Sequence, residues 1–545
     1  MTKFNKALHK KLLKQTKNMI KKELKELPHY SMMKNLVAGA KLLIEKLMSG
    51  SRVLVVGDYD ADGIMATTIL VSFMRKAGFS KDIFDYIIPS RLKDGYGLSP
   101  NIIHYAISEG FDTIVTVDNG IAAVEAIALA KENGITVIVT DHHTAPKVLP
   151  NADILINPKQ PGETFPFIEI SGATVAWYFV AALKDELNFP YDIRKLLDFV
   201  AITIMSDVMP LNDINLGLLE YGMNIIKERK RYIYQLTWKE EWTAKEEIDE
   251  TALSFSFVPM INAIGRIDDA NLGVELFLSE DKTEIKKLFL IMKEVNDKRK
   301  KMSRENTYNA ENIGDIEDSH GNVIIVQGDY HEGVVGIIAG RLAEKYRKPA
   351  YVFSYNEEKD IWKGSARTSG NIHLYNITNE ANEFILGWGG HKGAVGLGIK
   401  PENFENFKQR MLDVTSKIPS EEFINDDLKP IQIELKDIDS TTFEIIREFG
   451  PYGQSNPKPT FNAIVEIVES RPIQDGLHWE TTVKGKNSNF TMKAMFFNVH
   501  NDKLSRDEDN VPSLPEGEVP VDIQVANTYD QNNDSYIQEI YCTFV

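Results

Sequence analysis

Between Arg52 and about Pro158, short apolar runs recur, each followed by a stretch with helical spacing. The runs at 53–57, 83–88, 114–118, 136–140 and 154–157 are dominated by Val, Ile and Leu with little polar alternation, the pattern of parallel strands covered on both faces. Segments 63–77, 100–108 and 121–133, and two more at 172–187 and 192–205, carry helical periodicity. Such alternation predicts a doubly wound parallel sheet with right-handed crossovers. Residues 1–50 read as helical with a Lys-rich face, and 210–320 as mostly helical. Within the latter, 282–312 contain neither Pro nor Gly and predict one long helix connecting two domains.

A second α/β unit is expected from Gly321 onward: a strand at 323–327, a helix at 333–347, a strand at 350–354, a Gly/Ser turn near 364–370 and a helix at 376–387. A linker follows around 418–430. The pattern then changes to β-like runs at 461–469, 479–485, 490–497, 519–526 and 536–545 separated by polar turns, which predicts a small barrel or sandwich. The polar loop 501–517 is expected to be mobile, and no further domain is expected after the last run. The expected fold class is therefore α/β, with units at 1–50, 51–215, 216–320, 321–425 and 426–545.

Bulk properties narrow this picture little. At 545 residues the chain exceeds one core and suggests three or four domains. The lone Cys542 excludes a disulfide framework and a Cys-rich zinc site, and fits a reducing, cytoplasmic setting. The longest uncharged apolar stretch, 64–74, falls far short of the roughly 18–20 residues of a membrane span, and no apolar segment behind the Lys-rich start marks a secretory signal. The net charge of −17 opposes a polyanionic partner in bulk. It does not settle the matter, because bound cations neutralise site carboxylates and basic residues cluster locally. Such clusters include nine lysines in the first 25 residues, Lys227-Glu228-Arg229-Lys230-Arg231 and Lys298-Arg299-Lys300-Lys301. A solvated helix face explains each of them equally well.

The chemistry-bearing residues lie just past the apolar runs, where open α/β sheets build their sites. Asp58 and Asp60 follow the first run, Asp118 the third, and Asp141, His142 and His143 the fourth; Asp207 lies just beyond the run at 199–204. Taken singly, each is explained by a turn, a helix cap or a satisfied core histidine. Taken together, acidic groups at successive strand ends repel one another unless cations offset them. Carboxylates and imidazole suit Mn²⁺ or Mg²⁺, and a pair of such ions about 3.5–4 Å apart serves in-line displacement at phosphorus. A Walker-type loop and a Gly-x-Ser-x-Gly motif are both missing, which leaves metal-assisted hydrolysis.

In order and spacing, Asp58-Tyr59-Asp60-Ala61-Asp62-Gly63, Val117-Asp118-Asn119-Gly120, Thr140-Asp141-His142-His143 and Ser206-Asp207 resemble the motifs of the DHH phosphoesterase superfamily. Gly389-Gly390-His391-Lys392-Gly393-Ala394-Val395-Gly396 and Ser365-Ala366-Arg367-Thr368 resemble signatures of the DHH-associated domain. Three further stretches resemble elements of the RecJ family of single-strand-specific exonucleases, of bacterial or phage type. They are Asn262-Ala263-Ile264-Gly265-Arg266-Ile267, the stretch 88–98, and 449–459, which in that family precedes an OB-fold. The resemblance covers about residues 30–545. Ile264, Thr368, Val395 and Ser455 depart from the family pattern, and none is a ligand-type residue.

The resemblance implies a DHH domain, a connector helix, a DHH-associated substrate-binding domain and a C-terminal OB-fold barrel. It implies two divalent cations, Mn²⁺ ahead of Mg²⁺, held by Asp58, Asp60, Asp118, His142 and Asp207, with Asp118 bridging. His143 is expected to face the scissile phosphate and Asp141 to orient a ligand or bond backbone amides. Asp62 is expected either to support a ligand or to cap the helix at Gly63. Arg91, Arg266, Ser365, Arg367, Gly390 and His391 are the expected phosphate or substrate binders, with an ion pair to Asp268 or Asp269 as the alternative for Arg266. Trp479 and His478 are candidates for stacking on unpaired bases, with core or turn packing as the alternative. The implied activity is 5′→3′ hydrolysis of single-stranded DNA to mononucleotides in repair and recombination, with a single-strand-binding protein or a helicase as candidate partner. A DHH phosphoesterase acting on short oligonucleotides or cyclic dinucleotides, and a non-catalytic DNA-binding scaffold, remain as alternatives.

Overall fold

The computed structural model describes all residues except 92–93, 239–247, 314–320, 424–428, 474–477, 487, 498, 500–503, 507–511, 531–534 and 545. Parts of the expected linker at 418–430 and of the polar loop at 501–517, and two residues of the 88–98 stretch, therefore lie outside the described residues.

Two helices, α1 (Lys3–Thr16) and α2 (Leu36–Met48), precede a five-stranded sheet. Its strands β1 (Val53–Val56), β2 (Phe84–Ile87), β3 (Thr113–Val117), β4 (Thr136–Thr140) and β5 (Ile154–Ile156) run in the order β2-β1-β3-β4-β5, all parallel. Every residue of β1, β3 and β4 is buried, which is why these segments show no polar alternation. Alternate side chains serve opposite faces. Val53 and Val55 pack under α3 (Ala61–Lys76), with α6 (Gly172–Glu186) and α7 (Leu197–Ser206) in the same core. Leu54 and Val56 face α4 (Pro100–Ser108) and α5 (Val124–Glu132). The winding reverses between β1 and β3, and the crevice beyond their carboxyl ends is where such sheets bind ligands.

The 32-residue helix Lys282–Ile313, about 48 Å long at 1.5 Å per residue, fulfils the connector expectation. Its Ile285, Leu288 and Met292 belong to the first core, and its Ala310 to that of the second unit.

The second unit is a mixed sheet in the order β6 (Ile324–Gly328), β7 (Ala350–Asn356), β8 (Ile361–Arg367), β10 (Ala394–Ile399), β9 (Gly387–Gly390). Only β6 and β7 pair in parallel. Two expectations fail in this unit. The Gly/Ser stretch begun at Gly364 is not a turn up to Arg367 but the end of β8, paired on both sides; Gly364 is small because a Cβ there would lie 2.4 Å from the Phe353 ring. The helix expected at 376–387 shrinks to Leu374–Asn379 and one 3₁₀ turn before β9 begins.

The C-terminal unit contains β11 (Ile431–Gln432), β12 (Phe461–Ile473), β13 (His478–Gly485), β14 (Thr491–Phe496), the short ribbon β15 (Ser505–Arg506) and β16 (Pro512–Ser513), β17 (Glu518–Asp530) and β18 (Ser535–Phe544). Because β12 pairs with both β13 and β17, the strands β12-β13-β14-β18-β17 close into a five-stranded barrel. Residues 1–50 do not act as one body. Leu8 and Leu12 of α1 enter the core of the C-terminal unit, whereas Leu36, Ala40 and Leu43 of α2 enter that of the first.

Candidate metal centre and adjoining anion cleft

The carboxyl ends of β1, β3 and β4 place Asp58, Asp118 and the Asp141-His142-His143 triplet around one crevice. Asn119 sets their spacing: its side-chain amide donates to the carbonyls of Val56 and Val117, both at 2.9 Å, and its oxygen accepts from the Leu98 amide at 3.1 Å. Asp118 takes the left-handed conformation, φ +61°, uncommon for a residue with a Cβ. Gly172, the first residue of α6, is required at this spot. A Cβ there would lie 2.4 Å from Asp118 Oδ1.

His142 carries the strongest indication of a cation. Its Nδ1 lies 2.8 Å from the carbonyl of Ile170, which only accepts, so the ring proton is on Nδ1. Burial holds this imidazole down to about 3, so the ring is neutral and Nε2 is bare. That lone pair faces Asp118 Oδ1 at 3.2 Å and Asp62 Oδ2 and Asp207 Oδ2, both at 3.6 Å. Asp58 Oδ1 and Asp118 Oδ1 are buried without a hydrogen-bond partner. Burial, reinforced by neighbouring carboxylates, raises Asp58, Asp118 and Asp207 well above the usual range, and Asp62 to about 7. Facing lone pairs and orphaned oxygens are stable together only with cations or protons between them. The donor atoms fall into three compact groups: Asp58, Asp60 and Asp118; Asp62, His142 and Asp207; Asp118, His142 and His143. Asp118 is common to two of them. The oxygen-rich set with one or two imidazoles fits a pair of hard-to-borderline divalent ions.

The flanking residues divide their roles by hydrogen bonding. Asp60 is the N-cap of α3, accepting from the amides of Asp62 at 2.9 Å and Gly63 at 3.1 Å. The cap expected of Asp62 thus belongs to Asp60. Asp62 instead accepts from the Gly172 and Ala173 amides, at 2.7 and 2.8 Å, at the start of α6. Asp141 accepts from the amides of Ile121, His142 and His143 at 2.9, 2.7 and 3.0 Å, and from His143 Nδ1 at 2.7 Å. Burial works against ionising Asp141, but the bond to His143 and its charge outweigh burial and hold the carboxyl at about 2. Likewise burial depresses His143, and the bond to Asp141 overcomes it, raising the imidazole to about 9. His143 is therefore a half-exposed cation at neutral pH. Asp207 comes from the C-terminal end of α7 rather than from a strand.

Across the crevice, Tyr59, Arg91, Ser365, Arg367, Gly390 and His391 line a cleft of about 370 Å³. Arg91 lies over the Tyr59 ring at 4.2 Å, and its Nε is buried without a partner. Arg367 donates to Ser365 Oγ at 3.0 Å. Arg266, whose Nη1 donates to the Gly333 carbonyl at 3.3 Å, is pushed down to about 9 by burial and then by the charges of Arg91 and Arg367. Among the described residues no ion pair joins it to Asp268 or Asp269. Among the described residues no ion pair joins Arg91, Arg266 or Arg367 to a carboxylate, and Glu332, which also lines the cleft, is paired with Lys363 at 2.9 Å, so the mutually repelling guanidiniums form a pocket for an anion such as phosphate.

Sequence reasoning left three contributors without a role. Tyr96 places its hydroxyl 3.2 Å from His143 Nε2. Asn262 accepts from the Ala61 amide at 2.8 Å, and Gly265 lets its helix, Val258–Ile267, touch the Asp58–Ala61 turn, where a Cβ would lie 1.8 Å from the Tyr59 carbonyl. All three lie in stretches noted for their likeness to the RecJ family, which was the available signal. Trp479, a stacking candidate, is 2% exposed and fills the barrel core; inward-facing positions alternate along β13 and Trp479 occupies one. No helix among the described residues is long and apolar enough to cross a membrane.

Residues 52–204 match the DHH family N-terminal domain, 320–417 the DHHA1 domain and 431–533 the RecJ OB domain. The chain is 31% identical to the single-stranded-DNA-specific exonuclease RecJ of Haemophilus influenzae, over 84% of this chain and 83% of that one. It is 32% identical to the protein of the same name in Bacillus subtilis, over 84% of this chain and 58% of that one. The crystal structure of RecJ from Thermus thermophilus in complex with Mn²⁺ superposes with a TM-score of 0.72 at 25% identity, covering 94% of this chain and 71% of that one.

Proposed function

The chain belongs to the RecJ family, and on that premise we propose that it is a metal-dependent exonuclease that removes mononucleotides from the 5′ end of single-stranded DNA. The observation that carries the proposal is the bare Nε2 of neutral His142 facing three carboxylates, 3.2–3.6 Å away, next to a cleft lined by Arg91 and Arg367.

Asp58, Asp60, Asp118, His142 and Asp207 would hold two divalent ions, with Asp118 shared; Mn²⁺ is the preferred ion and Mg²⁺ the alternative. When bound, such a pair acidifies water and neutralises charge on the attacking and leaving oxygens of an in-line displacement. The protein's own groups supply the rest. Asp141 keeps His143 protonated and aimed at the crevice, where its Nε2–H, beside the Tyr96 hydroxyl at 3.2 Å, would donate to a non-bridging phosphate oxygen as charge develops. Asp62 fixes the start of α6, and with it the position of Asp118. Arg91, Arg266 and Arg367 grip the terminal phosphate through paired N–H groups, with Ser365, Gly390 and His391 closing the cleft. The two sites face each other across one crevice, so a gripped 5′ end presents its first phosphodiester to the carboxylate cluster. We place the activity in the cytoplasm, in DNA repair and recombination, with a single-strand-binding protein or a helicase supplying the strand.

The test is digestion of single-stranded DNA labelled at either end, in Mn²⁺, by the wild type and by Asp60→Ala. Early release of labelled mononucleotide from the 5′ end alone, lost in the variant, is expected. Cleavage of dinucleotides but not of long strands would move the substrate to small molecules, and binding without cleavage would make the protein a scaffold.

A further inference from the structure

Among the described residues no side chain hydrogen-bonds the Asp207 carboxylate, which is 32% exposed, so its place in the cluster depends on its backbone. Asp207 caps α7, its amide donating to the Thr203 carbonyl at 2.9 Å, and the loop to residue 213 that leads away from it is gripped by two segments from outside the first unit. From the C-terminal unit, the Gln454 carbonyl accepts from the Leu211 amide at 2.8 Å; from the N-terminal segment, the Lys22 amide donates to the Asp213 carbonyl at 3.1 Å. Leu211 is fully buried and cannot yield outward. The contact is close, since a Cβ on Gly453 would lie 2.9 Å from Leu211 Cδ1.

The gripping loop is itself pinned. Asn456, fully buried, donates through Nδ2 to the carbonyls of Phe449 at 2.9 Å and Pro451 at 2.8 Å. Its oxygen accepts from Gln15 Nε2 of α1 at 2.7 Å, and the same nitrogen lies 2.9 Å from the Pro457 carbonyl. The Tyr452 amide donates to Glu250 Oε1 at 2.8 Å, a second tie to the helical region. None of these side chains lies in the crevice. They form a chain of contacts from α1 through Asn456 and Gln454 to Leu211, four residues from Asp207.

We infer that the loop 450–457 is a positioning element for the metal centre: Asn456 and Gln15 fix the loop, its Gln454 carbonyl fixes Leu211, and Leu211 fixes Asp207. The C-terminal unit then completes the geometry of a ligand it does not contain. The inference rests on Asp207 being a cation ligand. Groups that hold ligands in place typically change metal affinity by roughly 10–100-fold when removed.

The experiment is direct Mn²⁺ binding to the full chain, by electron paramagnetic resonance of free Mn²⁺, for the wild type, Asn456→Ala, Gln15→Ala and Asp207→Asn. Binding of a single-stranded oligonucleotide in EDTA is measured in parallel. Asn456→Ala is expected to weaken one Mn²⁺ equivalent by roughly 10-fold and Gln15→Ala by a smaller factor, with oligonucleotide affinity within about twofold. If Asn456→Ala does not fold, Gln15→Ala, which opens no hole inside the loop, decides alone. Unchanged Mn²⁺ binding in the folded variants overturns the inference if Asp207→Asn does weaken it. Unchanged binding in Asp207→Asn overturns the ligand reading instead.

Discussion

Gly172→Ala probes how closely α6 shapes the carboxylate cluster. The added methyl carbon would stand 2.4 Å from Asp118 Oδ1 and 2.6 Å from its Cβ, whereas ordinary contact begins at 3.4 Å. About 1 Å must be found. The helix cannot supply it: α6 is buried along most of its length, and its first two amides are tied to Asp62. Asp118 moves instead, and it already sits at φ +61° with no spare conformational room. A displacement of about 1 Å at a reacting centre lowers turnover by roughly 100-fold, or about 2.7 kcal/mol in the barrier, while overpacking costs about 1–3 kcal/mol of stability. Turnover of single-stranded DNA at saturating Mn²⁺, normalised to the folded fraction from circular dichroism, reads the first quantity. A variant that folds and turns over within threefold of wild type would refute the reasoning, because Asp118 would then tolerate displacement that a cation ligand cannot.

Three further outcomes follow from the same geometry. Asp58, Asp62, Asp118 and Asp207 hold protons more tightly folded than unfolded, so without cations their contribution to stability falls as pH rises above the ordinary carboxylate range, for Asp62 through about 7. Cations replace those protons, so the rise in melting temperature on adding Mn²⁺ should be larger at pH 8 than at pH 6; an equal rise would contradict it. Asp141→Asn removes the charge that keeps His143 at about 9, and a nuclear magnetic resonance titration of the ring should find the value lowered by about one unit or more. Asp198 is fully buried and accepts from Arg231 and, at 2.8 Å, from the Tyr234 hydroxyl. Asp198→Asn should therefore cost the first unit roughly 3–5 kcal/mol in calorimetry, with Mn²⁺ affinity of the folded protein unchanged.

What the chain discloses by inspection depends on whether a feature has a local cause. β1, β3 and β4 are readable because total burial forces apolar side chains at every position, and parallel winding then brings Asp58, Asp118 and His142 to one edge. β9 and β10 are not readable: Gly387, Gly389, Gly390, Gly396 and Gly398 carry no β signal, and only pairing extends them, β10 with β8 and β9 with β10. The capping of α6 by Asp62 joins residues 110 apart, and the Gln15–Asn456 bond residues 441 apart, so neither leaves a periodic trace. Aromatic residues near the barrel are ambiguous for a different reason. A strand's alternation gives Trp479 to the core, while Phe497 stays 38% exposed beside His478.

The most direct test is the number of Mn²⁺ ions bound by the wild type and by Asp118→Asn at pH 8, measured by the loss of the free-ion resonance. The shared position of Asp118 between two donor groups predicts two tight equivalents in the wild type and weakening of both in the variant. No tight binding in the wild type, or two equivalents untouched by Asp118→Asn, would contradict a cation pair held by this cluster.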